Sequence, residues 1–182
     1  IENILVPLLV IIILVLLNGL FVAAEFAIIA VRPTQAERIT ETGHKAAQHV
    51  RGILGSRVRK DRYIAAAQLG ITLASLGLGM YGEAKIAHYI EPYLALLLGV
   101  SPNAALVHSF SFVIALSMLT YLHVVVGEML PKSWALAAPQ QTVLAVSGIM
   151  RLTEWVFSVP VRVLNGIGMS LLKIFHMPKA TE

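Results

Sequence analysis

Long apolar runs alternate with short polar segments along the chain, and the runs predict helices rather than strands. Residues 4–31 are apolar apart from Asn18 and Glu25. This run exceeds the roughly 20 residues that cross a bilayer, so it is predicted as a first span, either tilted or extending past the membrane. It is too long for a signal peptide and has no basic segment before it. Asn18 and Glu25 share a helix face with Val22 between them, and Gly19, Ala23, Ala24 and Ala27 suit close helix packing. A second span is predicted over 63–82. Its Gln68, Thr72, Ser75 and Gly79 fall at i, i+4, i+7 and i+11, a single stripe that should face protein or a cavity instead of lipid. Hydrogen bonding between helices explains such a stripe as readily as a binding site does. A third span is predicted over 104–131, with Ser117, Tyr121 and Glu128 near one face and His123 read as a packed or interfacial histidine.

The end of that third run concentrates the candidate chemistry. Glu128 is the one acid between Glu91 and Glu154, and an ionisable group at membrane depth is costly enough to mark a functional site. Pro131 has no N–H, so the carbonyl of Gly127 loses its helical donor, and Gly127 has no side chain to cover the opened backbone. The third span is therefore predicted to be broken at Gly127–Pro131, as at ion sites in transporters. A kink with Glu128 paired to Lys132 at the membrane edge is the alternative.

The segments between the runs set the expected topology. Eight of the 14 Lys/Arg lie in 32–62: Arg32, Arg38, Lys45, Arg51, Arg57, Arg59, Lys60 and Arg62. Ala36, Ile39, Ala46, Ala47, Val50, Ile53 and Leu54 give this region an apolar stripe. An amphipathic juxtamembrane helix or helix pair is predicted over 33–60, cytoplasmic by the positive-inside rule. Nucleic-acid binding, the rival explanation of the basic cluster, is not expected, because juxtamembrane basic segments meet anionic lipid. Residues 83–103 carry one Lys/Arg, Lys85, and are placed outside, as is the N-terminus; the apolar stretch 90–100 is too short to span and reads as an interfacial or re-entrant helix. Residues 140–175 are apolar but interrupted by Arg151, Glu154, Pro160, Arg162 and Lys173. They predict two amphipathic helices broken at Pro160 along the cytoplasmic interface, with a fourth span as the alternative.

Composition agrees. The 182 residues are 57% hydrophobic and 13% charged, with mean hydropathy +0.78, against about a quarter charged in soluble domains. The expected class is an all-α integral membrane domain covering 1–182. It has no cysteine, hence no thiolate metal site, and no nucleophile–base constellation indicates an enzyme.

Three stretches resemble a known family: Asn18-Gly19-Leu20-Phe21-Val22-Ala23-Ala24-Glu25-Phe26-Ala27, Gln68-Leu69-Gly70-Ile71-Thr72-Leu73-Ala74-Ser75-Leu76, and His123-Val124-Val125-Val126-Gly127-Glu128-Met129-Leu130-Pro131-Lys132-Ser133. Together they are similar to the membrane domain of CorC proteins, bacterial relatives of the cyclin M (CNNM) magnesium transporters. The G-E-x-x-P-K element carries most of the specificity. The resemblance implies a homodimer in the plasma or inner membrane, three transmembrane helices per protomer, and a Mg²⁺ site between them. It also implies cytoplasmic nucleotide-binding CBS domains, expected outside this chain. Many relatives have Ser where this chain has Asn18, and Asn in the second span where it has Gln68 or Thr72. Val22 and Ala23 offer no side-chain donor where some members have Ser.

Mg²⁺ takes oxygen ligands in octahedral geometry. The expected ligands are Glu128 for charge, carbonyls of Gly127 and Pro131, the Asn18 amide, and Gln68, Thr72 and Ser75. Glu25 is a possible coupling-ion residue for Na⁺; pairing with a basic residue or protonation are its alternatives. The implied function is Mg²⁺ transport, as Na⁺-coupled export. A membrane-anchored Mg²⁺ sensor or scaffold that moves no ion is the second function class.

Overall fold

A computed structural model describes residues 4–32, 45–102 and 104–174. The part of the expected juxtamembrane helix over 33–44 lies outside these residues. Everything described is helix or short connection, and three helices are long and apolar enough to cross a membrane.

The first, α1 (Leu5–Ala30), has 26 residues, about 39 Å at 1.5 Å per residue, against a hydrocarbon layer of roughly 30 Å. It ends where Val31 turns extended, ψ 124°, just ahead of the Arg32-Pro33 pair, in which proline disfavours helical backbone before it. Ile11, Val15, Asn18 and Val22 form its buried stripe, and α1 packs against both of the other long helices.

After α2 (Lys45–Leu54), α3 (Arg57–Gly77) starts at Ser56, whose side-chain oxygen accepts from the Arg59 N–H at 3.4 Å. The helix does not end at Gly82 as the sequence suggests. It widens into a π-helical segment, Leu78–Gly82, and runs on as α4 (Glu83–Leu98), for 42 continuous residues. The separate short helix expected over 90–100 is thus the far end of the second long helix. Glycine and proline terminate helices in water, where the freed backbone is hydrated; they are tolerated in membrane helices, so the helix continues through Gly82 and carries Pro92 in its interior. The true stop is Gly99, in the left-handed conformation at φ 64°.

The third long helix also departs from expectation. α5 (Ala105–Leu122) continues through a π-helical segment, His123–Met129, into α6 (Leu130–Ala137), 33 residues in all. There is no break at Gly127–Pro131. Instead the Leu130 N–H donates to the carbonyl of Val125, five residues back, so the proline is absorbed by widening the turn.

α7 (Pro139–Val156) and α8 (Ser158–Ile174) follow. Their axes bend by 69° at Phe157, and if the bent pair is one span the described residues hold four candidate spans. The bend precedes Pro160, which instead sits in the first turn of α8, where a missing N–H costs nothing.

Two apolar clusters bracket the molecule. One joins Phe21, Ala24, Ala27 and Ile28 of α1 to Val50 and Ile53 of α2, Tyr63 and Ala67 of α3, and Val143 and Met150 of α7. The other joins Ile11 and Val15 to Leu78 and Leu119. Asn18 lies between them.

Candidate cation site between the long helices

Asn18 is 1% exposed, and a buried amide must find partners. Its Nδ2 donates to the carbonyl oxygen of Gly127 at 2.8 Å. Its Oδ1 accepts from the Ser75 hydroxyl at 3.1 Å, and Ser75 Oγ is also 3.2 Å from His123 Nε2. Ser75 has one proton and gives it to Asn18, so His123 must donate from Nε2 to Ser75, which assigns its tautomer. The result is one directional chain, His123 to Ser75 to Asn18 to Gly127, crossing all three long helices.

Two glycines make the approach possible. A Cβ on Gly127 would lie 3.0 Å from the His123 ring and 3.2 Å from Asn18 Nδ2. A Cβ on Gly19 would lie 2.9 Å from Pro131 Cγ. The Gly127 carbonyl that Pro131 deprives of its helical donor is therefore not unpaired: α1 supplies the donor from a side chain.

Above this chain of hydrogen bonds opens a cavity of about 500 Å³, lined by Asn18, Val22, Glu25 and Phe26 of α1, Gln68, Ile71, Thr72 and Ser75 of α3, and His123 and Glu128 of the π-helical segment. Of the candidates read from sequence, Asn18, Glu25, Gln68, Thr72, Ser75 and Glu128 come together here. Gly127 lies behind Asn18, and Pro131 packs on Gly19 instead of lining the cavity. Gly79, the fourth member of the polar stripe, borders a different cavity. Ser117 turns back to the Val113 carbonyl at 2.7 Å, and Tyr121 is exposed and does not line the cavity.

The two carboxylates differ in their engagement. Glu25 Oε1 accepts from Gln68 Nε2 at 3.1 Å, which leaves the Gln68 carbonyl oxygen available. Thr72 donates to the backbone carbonyl of Gln68 at 2.9 Å and keeps its own lone pairs. Glu128 has no hydrogen bond or ion pair among the described residues. Lys132 does not pair with it: Lys132 Nζ stands 4.5 Å over the Phe26 ring, a cation–π contact. The alternative of an edge salt bridge is thereby removed. His123, set aside in the sequence reading, belongs to the site. The signal that could have found it is its i, i+4 spacing from Gly127, which puts the ring over the residue with no side chain.

Chemically, the cavity is a hard-oxygen environment. Two carboxylates, two amides, two hydroxyls and one imidazole nitrogen face it, a donor set suited to Mg²⁺ or Na⁺ and not to a thiolate-seeking metal. The π-helical segment carrying Glu128 is a rare form of helix that frequently occurs at functional sites.

The Cyclin M transmembrane N-terminal domain family matches residues 9–182. The chain is 37% identical to the UPF0053 protein YhdT of Bacillus subtilis over 172 residues, 93% of this chain and 36% of that protein. It is 40% identical to the UPF0053 protein YhdP of the same organism over 131 residues, covering 72% and 28%, and 31% identical to YugS over 173 residues, covering 93% and 38%. The chain thus spans about a third of the length of these curated relatives. It is a multi-pass membrane domain and belongs to the cyclin M (CNNM) transmembrane family.

Proposed function

We propose that this domain carries Mg²⁺ across the membrane, as a Na⁺-coupled exporter, with the ion held in the cavity between α1, α3 and the His123–Met129 segment. The observation that carries the reading is the unpartnered Glu128 carboxylate facing neutral oxygens of α3 across a cavity of about 500 Å³. Mg²⁺ dehydrates reluctantly and keeps several waters; this volume accommodates them. Glu128 is the principal ligand, and Gln68 and Thr72 supply neutral oxygens. Asn18, Ser75 and Gly127 each retain lone pairs but already hold one another. In this reading they form the frame behind the ion and enter its shell only when the hydrogen-bond chain opens. Glu25, with its Gln68 contact, takes the coupling Na⁺.

Family membership supports the membrane setting, and the basic content of 32–62 supports a cytoplasmic position for that face. Cysteines at Ser56 and Ser101 are expected to react from opposite sides of the membrane. The same reading makes α7 and α8 interfacial, and makes the functional unit a homodimer in the plasma or inner membrane. Exposed Phe110, Phe112, Val113, Leu116 and Met118 on α5 leave apolar surface for a second copy or for lipid. A monomeric mass in mild detergent with Mg²⁺ binding retained argues against the dimer.

Liposomes with an internal Mg²⁺ dye test the function. Na⁺-gradient-dependent Mg²⁺ flux that Glu128→Gln abolishes is the expected result. Mg²⁺ binding without flux in the wild type moves the assignment to a membrane-anchored sensor.

A further inference from the structure

A second polar cavity, of about 450 Å³, opens among α2, α3, α7 and α8. Arg59 and Arg62 of α3 and Arg162 of α8 line it, with His49, Glu154 and Trp155. The arginines are positioned by local structure. Arg162 Nε donates to the Ser158 carbonyl at 3.0 Å, which fixes the stem and leaves the terminal nitrogens free. Arg59 lies across Gly52, where a Cβ would be 2.9 Å from Nη1. Among the described residues, none of the three guanidinium groups is in an ion pair.

The cavity's carboxylate is already engaged. Glu154 Oε2 lies 2.9 Å from His49 Nε2, although off the line of a good hydrogen bond. Burial raises the Glu154 pKa, and burial followed by Arg151 and Arg59 lowers that of His49. Three guanidinium groups face a single carboxylate in this cavity. A guanidinium is a planar fork matched to two oxygens of a phosphate. Trp155 of the lining is exposed at 75%, as are Leu152, one turn earlier on α7, and Val159, just past the bend, at 61% and 60%. This is an apolar shelf with the amphipathic indole favoured at a membrane interface.

We propose that this cavity is a phosphate-binding site whose occupant is the headgroup of an anionic phospholipid, with the acyl chains lying along Leu152, Trp155 and Val159. It rests on the reading that α7 and α8 lie at the cytoplasmic interface, where basic pockets between helices hold anionic headgroups. Inorganic phosphate shares the headgroup's chemistry but makes no use of the apolar shelf.

The test uses the protein in nanodiscs with Trp134→Phe, which leaves Trp155 as the sole tryptophan of two. Phosphatidylcholine discs receive brominated phosphatidylglycerol or, in parallel, brominated phosphatidylcholine. Brominated phosphatidylglycerol is expected to quench Trp155 more strongly. Arg162→Gln is expected to weaken that preference roughly fivefold, and Arg162→Lys to recover part of it. Arg57→Gln removes a nearby charge that does not line the cavity, and is expected to leave the preference intact. Inorganic phosphate at matched ionic strength is expected to have no effect; if it reverses the preference, the occupant is soluble phosphate and the lipid assignment falls. Equal quenching by both lipids, or equal losses in Arg57→Gln and Arg162→Gln, overturns the site. None of these arms reads Mg²⁺, so their failure is distinct from failure of the transport reading.

Discussion

Asn18 and Gly127 are 109 residues apart in the chain, and the amide nitrogen of one lies 2.8 Å from the carbonyl oxygen of the other. The contact closes a gap that proline opens: Pro131 cannot donate to Gly127, and α1 donates in its place. Removing one partner from a buried hydrogen bond costs about 1–3 kcal/mol. Asn18→Ala is therefore expected to lower the melting temperature in detergent to the same extent with Mg²⁺ or with chelator present. If destabilisation appears only when Mg²⁺ is present, Asn18 is a ligand and not part of the frame.

The contact between α1 and α3 has little slack. A Cβ on Gly70 would sit 2.6 Å from Phe21 Cδ2, so Gly70→Ala forces the ring to move. Overpacking of this kind costs about 1–3 kcal/mol, or about 2–4 °C per kcal/mol for a chain of this size. Thermal melts should show the loss, and adding Phe21→Leu should recover part of it. A Gly70→Ala melt indistinguishable from wild type would mean that the helices are less tightly apposed than described.

Charge at Glu128 is expected to govern Mg²⁺ affinity. Changing residues that only support metal ligands costs about 10–100-fold, so Glu128→Gln should weaken Mg²⁺ binding by at least about 100-fold, and Glu128→Asp should hurt less. Lys132→Ala should be mild, because Lys132 contacts Phe26 and not Glu128. Glu154→Gln should also be mild, because Glu154 lies in the other cavity. Calorimetric titration compares the four variants with wild type. Unchanged affinity in a folded Glu128→Gln protein would falsify the site.

The His49–Glu154 pair gives a pH signature with two opposing slopes. His49 is depressed below 6.5, by burial first and by Arg151 and Arg59 after it; its contribution to stability is complete above pH 6.5 and is lost as pH falls through the folded value. Glu154 is raised above 4.5 by burial, with Arg59 acting against the shift; its contribution is complete below pH 4.5 and is lost as pH rises through the folded value. In wild type the slopes oppose each other. Melting temperatures of Glu154→Gln should therefore climb with pH up to 6.5, whereas those of His49→Gln should decline above 4.5. Parallel profiles for the two variants would exclude this account.

The sequence alone determined the membrane class, the three long apolar helices and most of their cavity-facing polar residues, although of the face expected on the third helix only Glu128 lines the cavity; lipid forces every backbone group into helix and makes each polar residue conspicuous. Asn18, Glu25, Gln68, Thr72, Ser75 and Glu128 were legible for that reason, and the structure brings all six to one cavity. Tertiary structure decided the rest. Local rules read Gly127 and Pro131 as a break and Gly82 as an end, because they assume that a freed carbonyl meets water. In the folded protein Asn18 supplies the missing donor from another helix, and the turn widens without opening. His123 became part of the site only through its contact with Ser75, 48 residues away. Glu128 and Lys132, neighbours by spacing, were separated because the Phe26 ring of α1 offered the lysine another partner. Each of these outcomes rests on a contact between helices remote in sequence, which no local pattern encodes.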